Sequence, residues 1–153
     1  MTLAEITIRR AVETDQAEIR AMVRAEALNP RNLDWSRFLV AEVGERIVGS
    51  QQVRVHRGGT REIASRVVLP QLRGRGVGTE LMRAALVREP GPLYVQCSEK
   101  WAPYYERFGF RRVKPSELTP DLRREHQIAR AVVALRSLYL RRRLSVVPMK
   151  RGV

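Results

Sequence analysis

The apolar positions of the chain change period several times, and each change marks a new element. Ile6 and Ile8 alternate with Thr7 and Arg9, which predicts a strand over Ile6–Arg10. Asp15-Gln16-Ala17-Glu18 has the form of a helix-opening box, with an acidic N-cap and Glu three residues on. Behind it Ile19, Met22, Val23 and Ala27 fall at helical spacing, and Asn29-Pro30 stops the helix. Residues 32–36 read as a loop. Residues 38–43 and 46–56 read as two strands joined by a tight Gly44-Glu45 turn, a hairpin. Arg57-Gly58-Gly59-Thr60 is a second turn, and the β-branched stretch 62–69 is a further strand closed by Pro70.

After a glycine-rich loop, Val77, Leu81 and Ala85 predict a helix over about residues 77–88, ended by Glu89-Pro90-Gly91-Pro92. A strand over 93–97, a short helix over 99–107 and a strand over 110–114 follow. Thr119 reads as an N-cap with Pro120 at the first helical position. Leu122, Ile128, Val132, Leu135 and Tyr139 then read as one apolar face of a C-terminal helix, with a closing strand over 145–149. The order is β, α, β, β, β, loop, α, β, α, β, α, β. That is a mixed α/β layout with a central hairpin pair. With 153 residues, no repeat and no linker, a single domain over 1–153 is expected.

Composition narrows the class. Apolar residues make up 44%, enough for a core. No apolar run has the length of a membrane span, and residues 1–10 show no signal core, so a cytoplasmic protein is expected. One cysteine, Cys97, fits a reducing compartment. Two histidines and that cysteine are too few to predict a metal site. The formal charge is +13, carried almost wholly by arginine. Such a surface suits a polyanion or a phosphate-rich cofactor. The arginines are spread from Arg9 to Arg151, and the chain has no aromatic-interleaved basic motif of a nucleic-acid binder.

The chemistry concentrates in Val68-Leu69-Pro70-Gln71-Leu72-Arg73-Gly74-Arg75-Gly76-Val77-Gly78-Thr79, which joins a strand to a helix. Glycines let the backbone turn and approach an anion, and the helix start offers free N–H donors. Together they form a phosphate site to which Arg73 and Arg75 can add charged hydrogen bonds. A Walker loop would require Gly-Lys-Ser/Thr, and a dinucleotide fingerprint would require Gly-x-Gly-x-x-Gly; neither is present.

The spacing Arg73-x-x-Gly76-x-Gly78 resembles the acetyl-CoA pyrophosphate loop of the GNAT acetyltransferases. Val68-x-Pro70 before it is similar to that family's preceding strand. Tyr104-Tyr105-Glu106-Arg107-Phe108-Gly109-Phe110 is similar to its Tyr-Glu-x-x-Gly-Phe segment. The likeness covers roughly residues 4–114, leaving the C-terminal helix and closing strand, about 116–150, as additions. It implies the GNAT acyl-CoA fold: a mixed, mostly antiparallel sheet flanked by helices, with an extra C-terminal helix.

The resemblance also implies roles. Arg73, Gly74, Arg75, Gly76, Val77, Gly78 and Thr79 would cradle the pyrophosphate of acetyl-CoA. Val67, Val68 and Leu69 would pair by backbone with its pantetheine arm, and Ser98 would hydrogen-bond that arm. The family often has Asn where Ser98 stands and Ala where Trp101 stands. Tyr105 would protonate the leaving thiolate; a phenol, with a pKa of about 10, still carries that proton near neutral pH. Glu62 would be the base for the acceptor amine, directly or through water. Arg31, Asp34, Trp35 and Gln51 would line the acceptor site. Residues 29–35 and 59–62 resemble a bacterial and plastid-type subgroup whose acceptor the sequence does not fix.

The expected reaction is direct transfer of acetyl from acetyl-CoA to a primary amine, on a small molecule or a peptide. Cys97 is expected to be a buried structural thiol, so no acyl-enzyme is implied. His126 is expected on the helix surface, and the helix's apolar face is expected to cover the sheet or to meet a second subunit in a homodimer. Two other readings compete: a non-catalytic CoA-binding module, and a basic nucleic-acid-binding protein.

Overall fold

In a computed structural model, residues 5–152 are described; the reading of residues 1–10 as lacking a signal core falls partly outside them. The contacts group into two compact units, residues 5–54 with 63–90, and residues 55–62 with 91–152.

In the first unit β1 (Ile6–Arg10) pairs antiparallel with β2 (Phe38–Val43), and β2 with β3 (Arg46–Val55). β4 (Arg61–Val68) follows in the order β1-β2-β3-β4. Gly44, at φ 62, makes the β2–β3 turn, a conformation that only glycine adopts without strain. Helices α1 (Gln16–Ala25) and α2 (Val77–Arg88) complete the unit. Its core gathers Ile19, Met22 and Val23 of α1 with Phe38, Val40, Ile47 and Val67 of the strands.

Two local expectations are corrected here. Asp15 does not cap α1 with its side chain. Its carboxylate instead accepts from the Val12 amide at 2.8 Å and from Arg9 at 2.7 Å. Arg9 also reaches Glu42 at 2.6 Å. The hydrogen bond from Arg9 holds the Asp15 carboxyl below its ordinary range, against the opposing effect of burial. The helix also ends before Asn29-Pro30, and Ala27 lies beyond it at φ 51.

In the second unit β5 (Leu93–Cys97) pairs antiparallel with β7 (Val147–Arg151), which pairs with the two-residue β6 (Arg111–Arg112), giving the order β5-β7-β6. The strand expected over 110–114 thus shrinks to two residues. Helix α3 (Ala102–Glu106) follows a 3-10 turn at Glu99–Trp101, and α4 is Pro120–Leu140. Thr119 is the N-cap of α4 with Pro120 at its first position, as expected; its carbonyl accepts from the Arg123 amide at 2.8 Å, while its side chain makes no capping bond.

The apolar face expected on α4 divides. Leu122 is fully buried with Tyr94, Val113 and Leu118. Ile128, Val132, Leu135 and Tyr139 are exposed, Tyr139 at 88%. Six residues turn a helix by about 600°, so Leu122 and Ile128 point about 120° apart. His126, one turn after Leu122, shares its face and is 2% exposed, which corrects the expectation of a surface histidine. Cys97 is buried as expected, its Sγ 3.8 Å from the Met149 sulfur.

Candidate functional site

The glycine-rich loop lies in the first unit. Pro70–Leu72 forms a 3-10 turn after β4, and Gly76 is the N-cap of α2. Gly74 and Gly76 have φ values of 73 and 86, so both use the left-handed freedom that a side chain would strain. No side chain caps α2, whose intrahelical ladder begins with the Glu80 amide on the Gly76 carbonyl at 3.0 Å. The amides of Val77, Gly78 and Thr79 precede that bond and belong to the helix's positive end.

These features suit a pyrophosphate: a loop of small residues, amides at a helix start, and the exposed Arg75 within it. Arg73 has other partners, pairing with Glu26 at 2.5 Å and donating to the Val68 carbonyl at 3.2 Å. It braces the loop against α1 and the end of β4. Val67 is buried, and Val68 and Leu69 are half-buried.

The close seat of α2 depends on Gly49. A Cβ there would stand 3.0 Å from Val77 Cγ1 and 3.1 Å from the Val67 carbonyl oxygen. Gln51, two residues on and on the same side of β3, is 1% exposed and donates to the Leu81 carbonyl at 3.4 Å. It is thus sealed under α2. On the other side of β3, Gln52 donates to the Ser65 hydroxyl at 2.8 Å. Ser65 sits within β4 at φ 53, outside strand geometry. Among the described residues, the buried side-chain polar atoms without a partner are Ser50 Oγ, Gln51 Oε1, Gln52 Oε1 and Arg54 Nε, all on β3.

Of the other expected acceptor residues, Asp34 caps the 3-10 turn Trp35–Arg37 by accepting from the Ser36 amide at 3.0 Å. Trp35 packs against the first unit's core, and its amide donates to Gln16. Arg31 is exposed.

The second unit holds Glu62, Ser98 and Tyr105. Tyr105 is 7% exposed, between the rings of Tyr104 and Phe110 at centroid distances of 5.3 and 5.8 Å. Ser98 is the N-cap of the turn before α3, accepting the Trp101 amide on its carbonyl at 2.9 Å. Trp101 is 51% exposed.

Glu62 is 4% exposed and has two side-chain partners. Its Oε2 lies 2.7 Å from His56 Nε2, and its Oε1 accepts from Gln96 Nε2 at 3.2 Å. Gln96 Oε1 in turn lies 2.8 Å from His126 Nδ1. Burial, and then the nearby Arg130 charge, push the His126 imidazole below its ordinary value, which favours the neutral ring.

The turn carrying this cluster is tied to α4. Asp121 accepts from the Gly58 amide at 3.0 Å, the Thr60 hydroxyl at 2.8 Å and the Leu122 amide at 2.9 Å. Thr60 also meets the Thr119 hydroxyl at 2.7 Å. Burial opposes the charge on Asp121. The bonds from Thr119, Thr60, Leu122 and Gly58 outweigh it and hold the carboxyl far below its ordinary range.

Sequence reasoning passed over His56, Gln96, His126 and Asp121 as site residues. One signal was available. His56 donates its amide to the Thr60 carbonyl across the turn, so positions 56 and 62 are diagonal neighbours on one face of a hairpin.

A family model described as an acetyltransferase (GNAT) domain matches residues 34–112, just over half of the chain. The chain belongs to the GNAT acetyltransferase family.

No curated protein matches it. Solved structures share the fold. The N-acetylglutamate synthase of Neisseria gonorrhoeae, in complex with coenzyme A and L-arginine, is 18% identical with a TM-score of 0.73. That match covers 97% of this chain and 33% of the synthase, so the chain spans about a third of its length. Rv2747 of Mycobacterium tuberculosis, in complex with CoA, is 22% identical with a TM-score of 0.69, covering 96% of this chain and 99% of that one. PH1933 of Pyrococcus horikoshii is 19% identical with a TM-score of 0.62, covering 97% and 99%.

Proposed function

We propose that this protein transfers acetyl from acetyl-CoA directly to the primary amine of a small molecule, and that a free amino acid is the first acceptor class to test. The observation that carries the reading is the loop Arg73–Thr79 at the start of α2. Its left-handed Gly74 and Gly76 leave backbone amides for a pyrophosphate, in a chain that the GNAT model matches.

When bound, acetyl-CoA supplies the activated acetyl thioester. The loop amides and Arg75 hold its phosphates; the backbone of Val67–Leu69 and Ser98 hold its arm. Glu62 and the side chains bonded to it receive the proton that leaves the amine. Tyr105 gives a proton to the departing thiolate. Arg31, Asp34, Trp35 and Gln51 remain the proposed acceptor residues. Asp34 and Trp35 act by shaping the segment before β2, and Gln51 by holding β3 under α2. The amino-acid acceptor is supported by the likeness to a structure named N-acetylglutamate synthase.

Thermal unfolding with acetyl-CoA, and with ATP and NAD as controls, tests the cofactor. A ligand at a hundred times its Kd adds about 2.7 kcal/mol, or several degrees at about 2–4 °C per kcal/mol. A shift with acetyl-CoA alone supports the reading, and an acetylation assay starting with L-glutamate follows. No shift at saturating acetyl-CoA would sink it.

A further inference from the structure

We infer that Glu62 does not receive the amine's proton alone: His56 takes it on Nδ1, with Glu62 as the carboxylate that fixes its ring. This rests on the transferase reading above.

The argument begins with which atoms donate. Gln96 gives its N–H to Glu62 Oε1, so its oxygen faces His126 Nδ1, and that nitrogen must carry hydrogen. An ionised carboxylate only accepts, so His56 Nε2 also carries hydrogen toward Glu62 Oε2. Every side-chain bond in the cluster therefore points its hydrogen toward Glu62. Both Glu62 oxygens are thus already engaged as acceptors.

With Nε2 committed, the lone pair of His56 is on Nδ1. No hydrogen bond to that nitrogen is found among the described residues, and it is not one of their sealed, partnerless atoms. A carboxylate on one imidazole nitrogen fixes the tautomer and stabilises the imidazolium that forms when the other nitrogen takes a proton. The pair is 7% and 6% exposed, so water screens it little.

The step balances. The ammonium N–H bond breaks, and its proton goes to His56 Nδ1, directly or through a water. The freed amine attacks the thioester carbon, the C–S bond breaks, and the thiolate takes the Tyr105 proton; the acylated nitrogen gives up its second N–H proton to leave the neutral amide, and the Tyr105 oxygen recovers a proton from solvent. The imidazolium beside Glu62 then returns its proton to solvent. The titratable and charged groups near the pair include Asp121 at the turn, His126 with Arg130 behind Gln96, and Arg54, two positions before His56, whose Nε is buried.

The test compares wild type with His56→Gln and Glu62→Gln. Glutamine at 56 offers Glu62 an N–H but cannot hold a proton. Acetyl-CoA consumption is followed from pH 5 to 9 with L-glutamate and then a panel of primary amines. The expected result is that His56→Gln keeps the acetyl-CoA thermal shift, loses about 100-fold in kcat, and loses the acidic limb of the wild-type pH profile. Wild-type kcat and an unchanged acidic limb in His56→Gln would overturn the inference while leaving the transferase reading intact. An inactive wild type would overturn both. Should His56→Gln misfold, NMR of the wild-type imidazole decides. Titration of His56 along the acidic limb supports the inference, and a ring that does not titrate there overturns it.

Discussion

His56 and Glu62 meet at 2.7 Å across the β3–β4 turn, both nearly sealed from solvent. Glu62 thus has a charge-accepting partner on one oxygen and Gln96 on the other. Glu62→Gln keeps the shape but removes the charge, and it places an amide N–H against a neighbouring donor. We expect kcat to fall by about 10²–10⁴-fold and stability by about 1–2 kcal/mol. Acetyl-CoA binding, measured by calorimetry, should change less than twofold. Wild-type turnover in this variant would remove Glu62 from the reaction.

Tyr105 presents a separable case, because its ring and its hydroxyl do different work. The ring packs between Tyr104 and Phe110. Tyr105→Phe retains that packing, so the unfolding midpoint should move by less than about 1 kcal/mol of stability. The loss should fall on kcat, by at least about tenfold, with KM for acetyl-CoA little changed. A KM effect alone would make the hydroxyl a binding group and not an acid.

The loop and its helix were legible because glycine spacing and helical period are local signals. The boundaries predicted for α2, and the start predicted for α4, match the structure for the same reason. The histidine cluster as a whole was not legible, because it is assembled from the β3–β4 turn, β4, β5 and α4, and only its His56–Glu62 pair is local in sequence. His126 illustrates the failure. One turn after Leu122, it lies on the buried side of α4, which a single apolar face through Ile128, Val132, Leu135 and Tyr139 does not predict. The helix in fact has two faces, one buried with Leu122 and one exposed with Leu135 and Tyr139. Gln51 shows another limit of local pattern: nothing in the strand's sequence records that its side chain is sealed beneath α2 and donates to the Leu81 carbonyl.

Gly49 gives a stability prediction that the sequence pattern alone would not suggest. Its missing side chain lets α2 lie against β3 and β4. In Gly49→Ala the new methyl meets a backbone oxygen at 3.1 Å, which cannot swing aside as a flexible side chain would. Overpacking of this kind costs about 1–3 kcal/mol. The chain's denaturant midpoint should drop accordingly. Because α2 carries the loop amides, acetyl-CoA affinity should fall in the same variant.

Asp121 couples acid stability to the position of the site. Its carboxylate holds the Gly58 amide and the Thr60 hydroxyl from the first turn of α4, and so fixes the turn between His56 and Glu62. Its folded pKa is depressed below the unfolded value of about 3.9. The folded state therefore binds this proton less readily than the unfolded chain. The stabilisation is fully present above about pH 5 and is lost as pH falls below 4 toward the folded value. Asp121→Asn removes the charge at every pH and should cost about 1–3 kcal/mol near neutrality. The gap between wild-type and variant unfolding midpoints should stay constant from pH 8 to 5 and close as the pH is lowered to 3. Turnover should fall in the variant as well, since the freed turn no longer fixes His56 against Glu62. A gap that widened on acidification would reverse the sign of this linkage and show that the Asp121 carboxylate is not the ionised anchor of the turn.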